Sequence, residues 1–190
     1  MNIGLLGYGG WGKSHAASID ALDSHRLVAI ACRTEESAAQ ARRDHPEAKV
    51  TTDMDELFRM PDIEVIDIVL PTYLHVEAAV KALEAGKHVL LEKPMAGTLY
   101  ECDRLLSAAS AASAKNGRVL SLVHEMRSSA QWSSIHDIVS GGGVGALRYA
   151  MLNLYRFPYR SGAAGWRYDP KTVGSWVLEE PIHFIDLLLW

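Results

Sequence analysis

The stretch GYGGWGKS, residues 7–14, decides the fold, because it follows a short apolar run and precedes a helix-like segment. Gly7, Gly9 and Gly12 form the pattern G-x-G-x-x-G, which is typical of dinucleotide sites. The same letters also fit G-x-x-x-x-G-K-S, which is typical of nucleoside triphosphate loops. Both patterns place backbone N–H groups and a helix N-terminus against an anion. The stretch alone therefore leaves two kinds of phosphate site open.

Length, composition and charge bound the class of protein. The chain has 190 residues, of which 48% are hydrophobic and 22% charged, as in globular proteins with room for one domain and part of another. A net charge of -4 and scattered Lys and Arg residues argue against a nucleic-acid surface. The two cysteines are not spaced for zinc, and no signal peptide or membrane-length apolar run is present. We expect a cytoplasmic protein with no metal site, no nucleic-acid partner and no membrane partner.

Strand-like and helix-like segments alternate on either side of the glycine stretch. The strands that can be located lie at residues 2–6, 26–32, 64–70, 88–91 and 118–123, and the pattern predicts six in all. The predicted helices lie at residues 11–22, 35–43, 53–58, 73–85 and 98–115, and either Thr52 or Asp53 could cap the third. This alternation predicts an α/β fold with a doubly wound parallel sheet of the Rossmann type.

The pattern changes after about residue 124. Residues 131–139 indicate a helix, the run GGGVG at 141–145 a turn, and residues 146–157 a more aromatic strand. We therefore expect a Rossmann domain over residues 1–124 and, over residues 125–190, the beginning of a second α/β domain with an open sheet. Because a sheet edge needs partner strands and the chain ends in FIDLLLW, the sequence predicts a truncated chain.

The loops after the strands decide between the two phosphate sites. A triphosphate site needs an acid that holds magnesium, and the obvious candidate, Asp67, lies in the middle of a predicted strand. The carboxyl ends of the strands instead carry the glycine stretch and residues 33–34, 71–75 and 92–94. In a doubly wound sheet such ends line the ligand crevice. The context favours the dinucleotide site.

At these residues the sequence resembles the glucose-fructose oxidoreductase, inositol dehydrogenase and MocA (Gfo/Idh/MocA) family of NAD(P)-dependent oxidoreductases. The resemblance covers essentially the whole chain. It rests on GLLGYGGWGKSH, PTYLHVEAAVKALEAGKHVLLEKP, HEMRSSAQW, GWRYDP and GSWVLEEPIHFIDLLLW. It implies a Rossmann domain followed by an α/β domain whose open sheet forms the substrate pocket and often the subunit interface. A homo-oligomer is therefore expected of the complete protein.

The resemblance also implies three catalytic residues. Lys93, in the tripeptide EKP, matches the lysine that touches the nicotinamide ribose and the reacting hydroxyl. His183 matches the histidine that acts as general acid or base, a role that suits an imidazole at neutral pH. Glu179 stands where the family often has aspartate, so it either orients His183 or shapes the pocket. Asp186 is either a partner of His183 or a helix-face residue.

A wider set of residues is implied for the cofactor. These are Gly7, Tyr8, Gly9, Gly10, Trp11, Gly12, Arg33, Thr34, Pro71, Thr72, His75, Glu92 and Lys93. Sites that prefer NAD carry an acid at the end of the second strand, where this chain has Cys32 followed by Arg33 and Thr34. A guanidinium and a hydroxyl suit a 2′-phosphate, so we expect NADP to be preferred over NAD. If Arg33 only stacks on adenine or faces solvent, both cofactors are accepted.

The sequence therefore predicts an enzyme that moves a hydride between a nicotinamide cofactor, NADP or NAD, and a sugar, polyol, inositol or related alcohol. In the oxidative direction His183 takes the hydroxyl proton and Lys93 stabilises the oxygen. A non-catalytic NAD(P)-binding regulator of the same fold is the alternative, since a fold does not establish an activity. A triphosphate hydrolase is a weaker third possibility.

Overall fold

The computed structural model describes residues 1–155, 163–173 and 175–190, and it divides the chain into two compact units, Met1–Leu122 and Val123–Trp190. The strands of the first unit are β1 (Asn2–Leu6), β2 (Arg26–Ala31), β3 (Lys49–Thr51), β4 (Val65–Ile68), β5 (His88–Leu91) and β6 (Leu120–Leu122). Its helices are α1 (Gly10–Asp20), α2 (Glu35–Asp44), α3 (Met54–Arg59), α4 (His75–Glu84) and α5 (Leu99–Asn116), and a 3-10 turn covers Thr72–Leu74.

The six strands form one sheet in the order β3-β2-β1-β4-β5-β6, and every neighbouring pair is parallel. This order confirms the predicted Rossmann sheet, in which the chain leaves β1 in one direction for β2 and returns to β4 on the other side. The strand that the sequence pattern did not locate is β3. It is three residues long, and its sequence KVT holds one large apolar residue, too few for an apolar run to be recognised.

Two apolar clusters cover the two faces of the sheet. Leu5 and Ile30 point to the face where Ala16 and Ile19 of α1 pack. On the other face, Ile66 and Leu91 contact a cluster built mainly from α3, α4 and α5. Because both faces are buried, β1 and β2 show apolar runs rather than alternation, and β4 shows one that only Asp67 interrupts, which is why these strands could be located from the sequence.

Most helix ends follow the signals in the sequence. Asp53, not Thr52, caps α3, because its side chain accepts from the backbone N–H of Asp55. Thr98 caps α5 in the same way. Gly117 follows α5 with φ +69°, a left-handed conformation that glycine adopts at little cost.

The regular elements in the described part of the second unit are helices and 3-10 turns. Its helices are α6 (Ala130–Ser140), α7 (Pro170–Val173), α8 (Trp176–Glu179) and α9 (Pro181–Leu189), with 3-10 turns at Glu125–Ser128 and Ala163–Tyr168. Glycines 142 and 145 have positive φ, which confirms the turn predicted at 141–145.

The strand predicted over residues 146–157 is wrong for its described part, 146–155, because an extended segment becomes a strand only by pairing with another strand. The described part of the second unit contains no strand. Residues 156 and 157 lie outside the described ranges. Among the described helices, none is long and apolar enough to cross a membrane.

Candidate functional site

The glycine stretch forms a tight turn between β1 and α1. Gly7 has φ +99°, and a Cβ atom placed there would lie 2.3 Å from the carbonyl oxygen of Val69. A Cβ atom at Gly12 would lie 2.0 Å from the carbonyl oxygen of Gly7. At Gly9 and Gly10 a Cβ atom would meet nothing within 4 Å among the described residues. The first and last glycines therefore close the turn, whereas the middle ones leave their backbone open to a ligand.

The N-terminus of α1 carries no cap of its own. Gly9 occupies the cap position and has no side chain to accept from the backbone N–H groups of the first turn, and that turn holds no acidic residue. The caps of α2, α3 and α5 are side chains, whereas α1 and α4 have no side-chain cap. Free backbone N–H groups and the positive end of the helix dipole favour an anion here. The open glycine backbone and uncapped helix fit the pyrophosphate of a dinucleotide.

The other predicted cofactor residues follow the remaining strands at the same edge of the sheet. Arg33, after β2, is exposed, and Thr34 caps α2 by accepting from the backbone N–H of Ser37. Pro71 precedes the 3-10 turn after β4, and Thr72 begins it. Parallel pairing brings these strand ends to one edge of the sheet, where the sequence analysis expects the ligand crevice.

His75 connects the loops after β4 and β5. Its Nδ1 atom lies 2.7 Å from the carbonyl oxygen of Pro94, and its Nε2 atom lies 2.7 Å from that of Leu70. The side chain is 1% exposed. This predicted cofactor residue is therefore buried, and it connects the loop after β4 to the loop after β5.

A cluster that the sequence analysis missed lies below the glycine stretch. The His15 Nδ1 atom is 2.9 Å from Asp67 Oδ2, and its Nε2 atom is 3.1 Å from Glu92 Oε1. Trp11 Nε1 donates to the same Glu92 oxygen at 2.9 Å, and Glu92 Oε2 accepts from the backbone N–H of Lys93 at 3.1 Å. The cluster thus joins α1, β4 and the end of β5.

These contacts set the charges of the cluster. Burial alone would lower the pKa of His15, but its hydrogen bonds to Asp67 and Glu92 raise that pKa to about 10. Burial opposes the charge of Glu92, yet hydrogen bonds from His15 and Trp11 lower its pKa. Burial raises the pKa of Asp67, whose Oδ1 atom is buried with no hydrogen-bond partner among the described residues. With a carboxyl oxygen beside each ring nitrogen and a raised pKa, we expect His15 to be an imidazolium at neutral pH that donates to both side chains.

Two signals in the sequence point to this cluster. Asp67 stands in the apolar strand EVIDIVL, and a buried carboxylate requires a partner. His15 lies four residues after Trp11, so the two side chains share one face of α1. His15 contacts one oxygen of Asp67, the obvious candidate for a magnesium ligand in a triphosphate site, and the other oxygen, Oδ1, is buried.

Tyr8 anchors the glycine stretch from its other side. Its hydroxyl donates to Asp44 Oδ2 at 2.8 Å and lies 2.9 Å from His45 Nε2. His45 Nδ1 in turn lies 3.0 Å from Asp20 Oδ2. Burial and the neighbouring Asp44 carboxylate raise the pKa of Tyr8. Tyr8 is 5% exposed, so its ring supports the loop from inside.

The predicted catalytic residues of the second unit are buried. His183, on α9, is 4% exposed, and its Nε2 atom lies 3.4 Å from Glu125 Oε1. Glu179, on α8, is also 4% exposed, and its Oε2 atom accepts from Arg167 Nε at 3.2 Å.

Asp186, also on α9, accepts two hydrogen bonds from Arg127, at 2.8 and 2.6 Å. This paired contact lowers the pKa of Asp186. Among the described residues, no group of three His, Cys, Asp or Glu side chains could hold a metal ion.

Comparisons with known proteins agree with this geometry. Residues 1–121 match the sequence model of a family described as "Oxidoreductase family, NAD-binding Rossmann fold". The chain is 32% identical over 178 residues to scyllo-inositol 2-dehydrogenase (NADP(+)) IolW of Bacillus subtilis, covering 93% of this chain and 44% of that protein. It is 37% identical over 116 residues to levoglucosan dehydrogenase of Pseudarthrobacter phenanthrenivorans, covering 57% of this chain and 30% of that protein.

A solved structure shares the fold as well. The apo scyllo-inositol dehydrogenase of Lactobacillus casei superposes with a TM-score of 0.70 at 25% identity, covering 76% of this chain and 42% of that one. The chain thus spans less than half the length of each of these three proteins.

Proposed function

Because the chain belongs to the Gfo/Idh/MocA oxidoreductase family, we propose that it carries the dinucleotide-binding half of an NAD(P)-dependent dehydrogenase or reductase. The observation that carries this proposal is the uncapped N-terminus of α1 behind the open backbone of Gly9 and Gly10. It stands beside β1, where the strand order reverses and a doubly wound sheet binds its ligand. The bound dinucleotide would supply hydride exchange.

We assign the pyrophosphate to the glycine stretch and the adenosine half to the end of β2. Arg33 and Thr34 would then favour NADP, and the NADP(+) in the name of the Bacillus subtilis relative supports this preference. The nicotinamide half would lie beyond β1, over the ends of β4 and β5, beside Thr72 and Lys93.

The chemistry proposed for Lys93 is electrostatic. Hydride loss from an alcohol carbon leaves negative charge on the oxygen, and a fixed ammonium there lowers the barrier by up to a few kcal/mol. Glu92 accepts from the backbone N–H of Lys93, so the peptide that carries the ammonium is held in place.

His183 is proposed as the general base for alcohol oxidation, and Glu179 as a residue that shapes its surroundings. The substrate class that we propose is a sugar, polyol, inositol or related alcohol, which the names of the relatives support. We also propose residues 1–124 and 125–190 as the Rossmann domain and the beginning of the substrate domain.

The first test is a calorimetric titration of the 190-residue chain with NADPH, NADH and ATP with magnesium. We expect both dinucleotides to bind and ATP with magnesium to bind much more weakly. Tighter binding of ATP with magnesium, or no binding of either dinucleotide, would contradict the proposal.

The second test concerns Lys93 in any form of the protein that turns over a sugar or polyol. Lys93→Met should lower kcat by at least about 100-fold and change the dinucleotide Kd only several-fold, since the lost charge acts on the transition state. Lys115→Met, at the exposed end of α5, is the matched control and should leave kcat unchanged. An unchanged kcat in Lys93→Met would remove this residue from the mechanism.

A further inference from the structure

His15 makes contacts that none of the roles assigned above uses. It lies on α1, one turn beyond the open glycine backbone, and contacts one carboxylate from β4 and one from the end of β5. Its side chain is 15% exposed, whereas those of Asp67 and Glu92 are 2% and 6% exposed. A charge-assisted bridge that is this buried fixes the spacing of three elements, because losing either partner leaves a buried charge without compensation.

Contacts within the protein engage both carboxylate oxygens of Glu92. Oε1 accepts from Trp11 and His15, and Oε2 accepts from the backbone N–H of Lys93. A carboxylate whose two oxygens both accept hydrogen bonds from the protein is better suited to orienting the chain than to contacting a ligand. Glu92 thereby holds the backbone N–H of Lys93, and we assign the side chain of Lys93 to the nicotinamide half of the dinucleotide.

We propose that His15 is a positioning residue for the nicotinamide half of the bound dinucleotide, acting through Glu92 on the peptide of Lys93. The inference rests on the proposed function. His15 does not touch the ligand, and its effect is confined to one half of it. The adenosine half, at the end of β2, lies on the other side of β1 and is independent of this bridge.

The alternative is a purely structural role, in which His15 only compensates the buried charge of Asp67. The two roles differ in what they do to fragments of the ligand. A structural defect weakens every ligand of the first unit, whereas a positioning defect weakens only ligands that include the nicotinamide half.

The experiment compares dinucleotides with their adenosine fragments on the 190-residue chain. NADPH and NADH are titrated beside 2′,5′-ADP and AMP, the fragments that remain when the nicotinamide mononucleotide is removed. We expect His15→Gln to weaken the better-bound dinucleotide by about tenfold, as for loss of one charge-assisted hydrogen bond. The matching fragment should bind within about twofold of its unmodified affinity, since none of its predicted contacts changes.

Glu92→Gln provides a second variant that removes a charge rather than leaving one unpaired. Its amide oxygen can still accept from Trp11 and His15, but its amide nitrogen cannot accept from the backbone N–H of Lys93. It should reproduce the selective loss of dinucleotide affinity, and an equal loss of dinucleotide and fragment in this variant would overturn the inference even if His15→Gln does not fold. His88→Gln, at the opposite end of β5, is the matched control and should bind all four ligands normally.

Equal weakening of dinucleotide and fragment by both variants would overturn the inference in favour of a structural role. Unchanged dinucleotide binding in both variants would overturn it as well. If the unmodified chain binds neither dinucleotide, the proposed function fails first, and the inference fails with it.

Discussion

At the scale of single residues, the charge on His15 makes a prediction about pH. Its pKa is raised from 6.5 to about 10 by Asp67 and Glu92, so the folded chain keeps a proton there that the unfolded chain loses above pH 6.5. The stabilisation is therefore fully present below pH 6.5 and is lost as the pH rises towards 10. Between these values the free energy of unfolding should fall by about 1.4 kcal/mol per pH unit more steeply than in His15→Gln.

Denaturant titrations of both proteins from pH 6 to pH 10 measure this difference, because titrating groups other than Asp67 and Glu92, which His15 contacts, contribute equally to the two. His25→Gln, which replaces a half-buried histidine whose ring contacts the Ser24 hydroxyl, is the control. Parallel pH profiles for the unmodified chain and His15→Gln would show that the imidazole is not charged in the folded state.

Cofactor preference also belongs to this scale. Cys32 leaves the end of β2 without the acid that would repel a 2′-phosphate, and Arg33 is exposed beside it. Loss of a charge-assisted contact of about 1.5–3 kcal/mol in Arg33→Ala should weaken NADPH by about 10–150-fold and leave NADH almost unchanged.

Binding constants of both cofactors measure this effect, and Arg26→Ala, at the opposite end of β2, should change neither. A preference of the unmodified chain for NADH, or equal losses for both cofactors in Arg33→Ala, would refute the 2′-phosphate assignment.

The sequence predicts residue positions better than residue partners. The glycine stretch and Lys93 can be assigned to the carboxyl edge of the sheet from the sequence, because each follows a recognisable strand and a parallel order brings the strand ends together. The contact between His15 and Asp67 joins residues 52 positions apart, and no local pattern encodes such a contact. Tyr8 was placed in the glycine stretch, but its hydrogen bond to Asp44 depends on how α2 packs.

At the scale of elements, the glycines of the turn between β1 and α1 have different roles: some are needed for folding and others for binding. Gly12→Ala should unfold or strongly destabilise the first unit, since its Cβ atom would lie 2.0 Å from the carbonyl oxygen of Gly7. Gly9→Ala meets open space and should keep the melting temperature within a few degrees. Its methyl group would nevertheless stand where the pyrophosphate approaches the backbone, so dinucleotide affinity should fall by at least about tenfold.

Thermal melts and NADPH titrations of the two variants check this separation. Gly117→Ala is informative as a control, because it strains a positive φ without touching the crevice, and it should lower stability but not affinity. Normal dinucleotide binding by Gly9→Ala would place the pyrophosphate elsewhere.

Helices and strands are predicted correctly where local sequence signals agree, and they are missed or predicted wrongly where pairing with another strand decides the structure. The helix α5 follows from its Thr98 cap and the Asn-Gly end, both of which are local. Residues 146–155 have the composition of a strand, yet composition cannot supply the neighbouring strand that an extended segment needs. The short β3 shows the reverse case, in which pairing with β2 makes a strand of a weak pattern.

At the scale of the whole molecule, the chain covers 44% of the Bacillus subtilis relative. We expect residues 1–190 to bind a nicotinamide dinucleotide but to show little turnover, because the proposed substrate domain is represented only by its beginning. A screen of sugars and polyols with both cofactors measures turnover, and binding measured on the same sample is the control. Robust turnover by this chain would refute the proposal that residues 1–190 bind the dinucleotide but lack most of the substrate domain. Homo-oligomer formation and a cytoplasmic location stay predictions.

The sheet of the first unit ends on both sides in strands of three residues, β3 and β6. An incoming strand could form only a few hydrogen bonds with either, which is one way in which proteins avoid polymerising edge to edge. Copies of this unit should therefore resist the amyloid-like stacking that longer exposed edges invite. Assembly, where it occurs, would use side chains on helices or loops, and the glycine crevice would stay clear of a growing sheet.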